Sequence, residues 1–304
     1  MKNKFTFLST ATITKVYLPV LLVLLGIAFV LPSSPQYLTV FDSNRQNYLQ
    51  TCPALTKVNA SAESGQKLPL PFTLVNWNIY KQEKKSWQEE LQKLTQKSDL
   101  LTLQEIKYSP EFINFSQINH LFYFQNNAFK YQDAVYGVNT LSKAAPSYVC
   151  GTRYSEPWIT IPKTGLATIY PLDKQPQSLL LINIHGVNFT FSAAPLKEQI
   201  QPYLTLIKSH RGPVIFSGDF NTWSAPRLEE VEQTLQKEGF QEALFKSDQR
   251  TTVFGQPLDH IYYRGLQIIK SESWATEASD HTPQLVTFTL KQQAAEIRSS
   301  AKTD

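Results

Sequence analysis

The sequence predicts an α/β protein in which stacked β-sheets are covered by helices. Three apolar runs, "FTLVNWNIY" (72–80), "LLTLQEI" (100–106) and "PVIFSGDF" (213–220), have the length and composition of buried strands. Amphipathic helical segments separate some of the strands, whereas others follow one another directly. This irregular alternation favours two packed sheets with helices outside over a purely parallel sheet.

Three segments show the period of amphipathic helices. They span 84–99, 195–210 and 224–240, with apolar stripes of Trp87, Leu91 and Leu94 in the first and Leu196, Ile200, Leu204 and Ile207 in the second. In the third segment Ser224 is the predicted N-cap and Gly239 the stop signal. Each helix is expected to cover a sheet with its apolar face.

The remaining strands are predicted from apolar runs bounded by turn residues. These runs span 136–146, 164–172, 178–189, 258–265 and 282–290. The second and third form an apparent hairpin, because only the polar residues "DKQPQ" separate them. The sequence contains no repeat of solenoid length and no glycine-rich phosphate loop.

The composition of the 304-residue chain is that of a folded protein, with 42% hydrophobic and 18% charged residues. Its net charge of +4 comes from the two ends of the chain. Between Phe72 and Leu290 there are 20 Lys and Arg residues against 21 Asp and Glu residues. The predicted domain therefore lacks the basic surplus expected for tight, sequence-independent binding to nucleic acid.

Residues 1–35 predict an N-terminal membrane anchor or signal segment. Lysines precede Val16–Leu31, which contains no charge, and no charge follows until Asp42. This order favours a cytoplasmic N-terminus with the remainder exported, periplasmic or extracellular. An uncleaved anchor, a cleaved signal that would release the protein, and a buried core helix all fit the segment, and "FVLPSSPQY" offers no clean A-x-A cleavage site.

A connector is predicted at 36–71 and a polar tail at 291–304, with the folded domain at 72–290 between them. The chain has two cysteines, Cys52 and Cys150. In an oxidising compartment a disulfide between them would tether the connector to the domain. Two unpaired buried thiols are the alternative, and the sequence leaves both open.

Polar residues stand at the ends of six predicted strands. They are Asn78, Glu105, His185, Asp219 with Asn221, Asp259, and Asp280 with His281. Each alone is explained by the preference of such residues for turns. Gathered at one rim, however, the carboxylates would repel one another unless a cation lay among them. Carboxylate and amide oxygens without cysteine predict Mg²⁺ or Mn²⁺, which leaves the histidines for proton transfer or substrate contacts.

The motif "GDFN" separates Asp219 and Asn221 by one residue. If the strand continues through it, alternation places both side chains on the same face. The two side chains are then expected to hold one group together.

Seven motifs occur in the order seen in the endonuclease/exonuclease/phosphatase (DNase I-like) superfamily. They are "NWNI", "LLTLQEI", "GVNTLSK", "NIHGVNF", "SGDFNTW", "LDHIYY" and "SDHTP". The sequence resembles this superfamily over residues 72–290. The resemblance implies a four-layer α/β/β/α sandwich and metal-dependent hydrolysis of a phosphoester. The apolar N-terminal segment predicts a hydrophobic helix before this domain.

The resemblance also implies a metal site. Glu105 resembles the main metal-binding carboxylate of the family, and Asn78 resembles the amide beside the metal and the phosphate. Asp280 resembles an additional metal-site carboxylate. The implied ion is Mg²⁺, with Mn²⁺ as a substitute.

The catalytic roles follow from the same resemblance. Asp219 and Asn221 resemble the pair that orients the attacking water and holds the phosphate. His281 resembles the histidine that contacts the phosphate or acts as acid or base, with Asp259 as its carboxylate partner. His185 resembles a candidate general acid.

Two further positions were mapped from the same resemblance. Lys143 occupies the place of the arginine of "LSR" in many members, and a lysine keeps the charge without the bidentate fork. Glu156 of "SEPW" is a candidate partner for His185.

The function implied is that of a Mg²⁺-dependent phosphodiesterase acting on nucleic acid, nucleotides or phospholipid head groups. The N-terminal segment would attach it to a membrane, and no protein partner is implied. A phosphomonoesterase of inositol-phosphate type is one alternative, and the motifs do not separate it from a diesterase. A non-catalytic scaffold of the same fold is the other, and the presence of every metal and catalytic residue argues against it.

Overall fold

The computed structural model describes residues 32–35, 38–42, 47–48, 51–52, 65–157, 159 and 161–291. The apolar segment Val16–Leu31 and nearly all of the predicted tail lie outside these residues, and so does the predicted N-terminal helix. Within the described part of the chain, no helix is long and apolar enough to cross a membrane.

The described residues form sixteen strands and four α-helices. The strands are β1 (Val40–Phe41), β2 (Asn47–Tyr48), β3 (Phe72–Asn78), β4 (Leu100–Tyr108), β5 (Phe122–Tyr131), β6 (Ala134–Ser142), β7 (Tyr148–Ser155), β8 (Pro162–Pro171), β9 (Ser178–His185), β10 (Val214–Asp219), β11 (Gln241–Glu242), β12 (Thr252–Val253), β13 (Gln256–Pro257), β14 (Asp259–Arg264), β15 (Leu266–Ser273) and β16 (Gln284–Leu290). The helices are α1 (Trp87–Lys97), α2 (Pro110–Ile118), α3 (Ala194–Ser209) and α4 (Ala225–Gln236).

Two mixed sheets carry the fold in the part of the chain that the structure describes. The larger sheet has the strand order β15-β16-β3-β4-β6-β5-β1-β2, and the smaller sheet has the order β11-β14-β10-β9-β8-β7. Strands β3 and β4 are parallel, as are β9 and β10, and β8 and β9 form the predicted antiparallel hairpin. Strands β12 and β13 form a separate hairpin.

The apolar core has three layers, which confirms the four-layer sandwich. Leu91 of α1 and Phe112 of α2 pack on the outer face of the larger sheet. The predicted stripe of α3 is buried on the outer face of the smaller sheet, together with Val231 of α4. Leu74 and Ile215, from different sheets, pack between them.

The sequence analysis did not predict eight of the described strands, β1, β2, β5, β7, β11, β12, β13 and β15, or the helix α2. In β5 the polar run Gln125-Asn126-Asn127 hides the strand pattern, yet all three residues are buried. The Asn126 side chain donates to the carbonyls of Thr152 and Gly165 at 2.9 Å each. Such partners come from remote parts of the chain, so the local pattern does not reveal them.

The inward-facing residues of the central strands change from apolar to polar toward the strand ends. Following the two-residue period, the rows are Leu74, Asn76 and Asn78 on β3, Leu181, Asn183 and His185 on β9, and Ile215, Ser217 and Asp219 on β10. The middle row joins the two sheets. Gln104 Nε2 donates to Asn183 Oδ1 at 2.8 Å, and the hydroxyls of Thr102 and Ser217 lie 3.0 Å apart.

A disulfide bond joins Cys52 to Cys150, with the two Cα atoms 5.0 Å apart. This decides between the two alternatives that the sequence left open. Strand β1 pairs with β5 at the edge of the larger sheet, whereas Thr51 bridges Gly151 on β7 of the smaller sheet. The described parts of residues 40–52 therefore run from one sheet edge to the other.

We expect the double substitution Cys52→Ser and Cys150→Ser to lower the free energy of unfolding by about 2–4 kcal/mol, because the bond closes a long loop in the unfolded chain. Denaturant unfolding under non-reducing conditions measures this. The substitution Ser147→Ala, near the same strand, is the control. An unchanged midpoint in the double variant would show that the bond adds no stability.

Candidate active site

Three side chains from different elements form the centre of the site. His281 Nδ1 lies 2.7 Å from Asp259 Oδ2, and His281 Nε2 lies 3.9 Å from Asp219 Oδ2. All three side chains are buried. Their ligand atoms lie within 4.8 Å of one another, close enough to share a metal ion only if His281 were uncharged.

Asp219 ends β10 because the chain before it approaches β9 closely. Gly218 has a φ of +150°, and a Cβ added there would lie 2.0 Å from the carbonyl oxygen of Ile184. Only glycine fits this position. The carboxylate of Asp219 then accepts from Asn78 Nδ2 at 2.9 Å and from the backbone N–H of Asn221 at 2.9 Å.

The prediction that Asp219 and Asn221 share one face of an extended strand is wrong. The strand ends at Asp219, and Asn221 has a left-handed φ of 53° in the turn that follows. Its side-chain nitrogen donates to the carbonyl of Gly186 at 2.8 Å. The two residues still lie together, because the Asp219 carboxylate binds the backbone of the turn.

Glu105 reaches the site through an irregularity in β4. Simple alternation would direct it outward with Leu101 and Leu103, which pack against the helices. The register of β4 against β6 shifts between Leu103 and Ile106, and Glu105 has a φ of 58°. A left-handed backbone costs about 1–3 kcal/mol for a residue other than glycine, and such strain clusters at functional sites.

Two lysines that the sequence analysis missed lie against the predicted site residues. Lys81 Nζ is 2.7 Å from Glu105 Oε2, and Lys163 Nζ is 2.7 Å from His185 Nε2. His185 Nε2 is also 3.5 Å from Asp219 Oδ2. The only local signal for Lys163 is a charged residue at the start of the apolar run "IPKTGLATIY".

The surroundings of His281 favour its charged form. Burial alone would lower its pKa, but the attraction of Asp259, the hydrogen bond with its carboxylate and the charge of Asp219 outweigh burial and raise the pKa to about 10. Burial raises the pKa of Asp219 to about 6, with Asp259 adding to the shift and the His281 cation opposing it. At neutral pH the site therefore holds an imidazolium beside an ionised Asp219.

The surroundings of His185 favour its uncharged form. Burial, reinforced by the charge of Lys163, lowers its pKa well below the ordinary value. Burial would raise the pKa of Glu105, but attraction from His185, Lys163 and Lys81 lowers it to about 2. Because His185 is uncharged at neutral pH, the two lysines supply that attraction there. A neutral His185 that accepts a hydrogen bond from Lys163 does not fit the general-acid role implied by the resemblance.

Asp280, predicted as a metal-site carboxylate, is exposed and lies outside the group of Asp219, Asp259 and His281. Its side chain accepts from the hydroxyl of its neighbour Ser279 at 3.4 Å. Proximity along the chain to His281 therefore does not bring it into the cluster.

Lys143 and Glu156 are placed differently from the prediction. Leu100 at the start of β4 pairs with Ser142, so Lys143 lies at the end of the sheet opposite Glu105. The buried Glu156 accepts from the backbone N–H groups of Asn188 and Phe189 and orders the loop after β9. The partner of His185 is Lys163.

The donor set fits a divalent cation. Glu105, Asp219 and Asp259 bring three carboxylates to one rim, and hard cations prefer such oxygens. Asp259 Oδ1 is buried and has no hydrogen-bond partner among the described residues. Buried carboxylate oxygens without donors favour a bound cation.

A family model described as "Endonuclease/Exonuclease/phosphatase family" matches residues 75–281. The chain belongs to the endonuclease/exonuclease/phosphatase family. Its fold and its strand-end residues agree with this membership. The protein is therefore a hydrolase acting on phosphoester bonds.

Relatives in bacteria are similar over most of their length. A UPF0294 protein of Vibrio vulnificus is 38% identical over 279 residues, covering 90% of this chain and 96% of the relative. A UPF0294 protein of Yersinia pseudotuberculosis is 39% identical over 226 residues, covering 74% and 86%.

Solved structures with low sequence identity share the endonuclease/exonuclease/phosphatase fold. The human Nocturnin catalytic domain with bound sulfate gives a TM-score of 0.59 at 17% identity, covering 75% of this chain and 97% of that chain. ANGEL2, a 2′,3′-cyclic phosphatase, in complex with adenosine-2′,3′-vanadate gives 0.57 at 15% identity, covering 75% and 98%. These likenesses support the fold.

The raised pKa of His281 predicts a pH dependence of stability in this endonuclease/exonuclease/phosphatase domain. The pKa of His281 is higher in the folded protein than in the unfolded chain, where it is about 6.5. The stability that the charged His281 contributes is therefore complete below pH 6.5 and is lost as the pH rises to about 10. We therefore expect the free energy of unfolding of the metal-free protein to fall across this window, and to fall less in His281→Gln. Urea unfolding in EDTA measures it, with the exposed His120→Asn as control. Equal slopes in wild type and His281→Gln would contradict the assignment.

Proposed function

We propose that the protein is a Mg²⁺-dependent phosphodiesterase that hydrolyses its substrate by direct attack of water. The observation that carries this is the buried pairing of a cationic His281 with Asp259, next to an Asp219 whose pKa lies near 6. A phosphodiester is anionic, so its hydrolysis needs a cation beside the phosphate and a base for the water. The site offers both within a few ångströms.

Glu105 and Asn78 would hold the Mg²⁺ ion, as the family resemblance implies. When bound, the ion neutralises charge on the phosphate and polarises it toward attack. Lys81 already lies 2.7 Å from the Glu105 carboxylate and keeps it ionised. The low pKa of Glu105, about 2, makes the carboxylate available as a ligand at any physiological pH.

Asp219 is the base in this proposal. With a pKa of about 6 it is ionised at neutral pH and can still accept a proton from water. Asn78 and the backbone of Asn221 fix the orientation of its carboxylate. His281 donates from Nε2 to a phosphoryl oxygen, while Asp259 holds its Nδ1 proton and keeps the ring charged.

A phosphomonoesterase remains the second candidate. A monoester carries more negative charge than a diester, and Lys81 and Lys163 both lie at the rim beside Glu105 and His185. Comparison of bis-p-nitrophenyl phosphate with p-nitrophenyl phosphate separates the two functions. The diesterase proposal predicts the higher kcat/KM for the bis-ester.

We expect Asp219→Asn to lower kcat on bis-p-nitrophenyl phosphate by about 10²–10⁴-fold, the usual effect of losing a positioned base. Glu105→Gln should remove most Mg²⁺ binding in a calorimetric titration, and EDTA should abolish turnover in the wild type. The exposed Glu229→Gln is the matched control. Full activity of the wild type in EDTA, or of the Glu105→Gln variant with Mg²⁺, would contradict the metal-dependent mechanism.

We also propose that the catalytic domain is exported and that the N-terminal segment attaches it to a membrane. Two observations support this. Val16–Leu31 is apolar and preceded by lysines, and the bond between Cys52 and Cys150 is of a kind that persists in oxidising compartments. A cleaved segment would instead give a secreted enzyme.

Protease added to spheroplasts of a bacterial host that makes the full chain tests this topology. We expect the domain to be digested while a cytoplasmic marker protein stays intact. The bound fraction after a salt wash distinguishes anchored from released protein. Protection of the domain until the membrane is broken would refute export.

A further inference from the structure

An apolar cavity of about 500 Å³ lies beside the catalytic residues. Most of its wall is formed by Phe189, Phe191, Trp223, Val253, Phe254 and Leu258. The proposed mechanism uses none of these side chains.

The cavity adjoins the catalytic group through two residues. Asn221 lines it, and the backbone N–H of Asn221 binds the Asp219 carboxylate. Leu258 also lines it and directly precedes Asp259. A substituent of a phosphate held beside Asp219 therefore has this cavity next to it.

Several polar groups along the wall are already bonded within the protein. The backbone N–H of Asn188 donates to Glu156, and its carbonyl accepts from Trp223 Nε1 at 3.2 Å. The Thr190 hydroxyl donates to a backbone carbonyl and accepts from Arg227. Few groups are left to read the edge of a base by hydrogen bonds.

The cavity also lacks the charge that a polynucleotide requires. Its lining, taken over the described residues, includes no lysine or arginine. The buried Arg227 behind it donates to the carbonyls of Val187 and Asn221. A nucleic acid continues past the scissile bond with further phosphates, which are bound by Lys and Arg. An uncharged apolar substituent fits this wall better.

The other side of the site is charged. A second cavity of about 210 Å³ contains four charged side chains, Lys81, Glu105, Glu156 and Lys163, in a lining that also includes aromatic and aliphatic residues. Asn188 and Phe189 line both cavities. One side of the site thus has no charged side chain among its described lining residues and the other side has four, an asymmetry that matches an amphipathic phosphodiester.

Three phenylalanines at the rim of the apolar cavity are exposed to solvent. The exposed fractions are 56% for Phe189, 90% for Phe191 and 85% for Phe254. They come from two separate segments, the loop after β9 and the turn of the β12–β13 hairpin. Clustered exposed aromatic side chains mark a surface that contacts an apolar partner.

We propose that the substrate is a membrane phospholipid, whose apolar portion enters this cavity while Phe191 and Phe254 contact the bilayer. This inference rests on the proposed phosphodiesterase function and names its substrate class. Water attacks the phosphorus held beside Asp219 and gives a proton to that carboxylate, a new P–O bond forms as one ester P–O bond breaks, and the proton passes to the leaving alcohol. The charged cavity receives the polar head group.

The test compares the full-length wild type with the double variant Phe191→Ser, Phe254→Ser. The substrates are vesicles of phosphatidylethanolamine and phosphatidylglycerol, soluble bis-p-nitrophenyl phosphate, and the p-nitrophenyl ester of thymidine monophosphate, each with Mg²⁺. We expect the variant to lose at least about tenfold in vesicle hydrolysis, because two apolar contacts are removed. Its rate on bis-p-nitrophenyl phosphate should stay within about twofold, a change well below the effect of a lost contact.

Two further variants control the result. Ile118→Ser changes an exposed apolar residue on α2, away from the cavity, and should leave vesicle hydrolysis unchanged. Phe191→Leu with Phe254→Leu keeps the apolar surface and should retain most of the activity on vesicles. Loss in the leucine variant equal to that in the serine variant would show that bilayer contact is not the cause.

The remaining outcomes separate the two proposals. A wild type that cleaves bis-p-nitrophenyl phosphate but not vesicle phospholipid would overturn the lipid assignment and leave the phosphodiesterase intact. A serine variant that loses equally on vesicles and on the thymidine ester would assign the cavity to a nucleobase and overturn the proposal. A wild type without activity on any diester would mean that the phosphodiesterase function itself has failed.

Discussion

The hydrogen bond between Gln104 and Asn183 holds the two sheets in the one alignment that assembles the site. It lies in a buried polar layer between them, at 2.8 Å. A buried amide that loses its partner costs about 1–3 kcal/mol, so the sheets cannot slide past each other without breaking this layer. Glu105 follows Gln104 on one sheet, and His185 stands two residues beyond Asn183 on the other. Apolar packing alone would tolerate other alignments.

The charges at the rim depend on that alignment as well. Asp219 and Asp259 come from neighbouring antiparallel strands and are paired in register, so backbone pairing alone brings two carboxylates together. His281 from another segment neutralises part of that charge, and Trp77 Nε1 holds its backbone carbonyl at 3.0 Å. Lys163 lies 2.7 Å from His185 and adds a positive charge on that side of the rim. The raised pKa of His281 thus follows from its carboxylate partner, whereas burial lowers the pKa of His185 and the charge of Lys163 adds to that shift.

The sequence predicted the residues at the strand ends because a two-residue period determines which face of the sheet each side chain occupies. It could not predict how Glu105 reaches the site, since that depends on a register shift against β6 that no local pattern encodes. Asn221 was placed on a strand that in fact ends before it. The sequence could not predict the role of Lys163, because a single lysine at the start of a strand is identified as a site residue only by its contact with His185, 22 residues away in the chain. The local sequence pattern thus predicts the layers of the fold and most residues of the rim. The positions of Glu105, Asn221 and Lys163 depend on contacts with remote parts of the chain.

Thr51 and Cys52 cover part of one open sheet edge. Strand β7 is an edge of the smaller sheet, and β1 with β2 extends the larger sheet beyond β5. Open sheet edges pair readily with strands of other chains and promote aggregation. Thr51 occupies part of the β7 edge, and the bond to Cys150 keeps it there. Reduction would remove the tether that holds Thr51 at this edge, so we expect the β7 edge to become more accessible to strands of other chains.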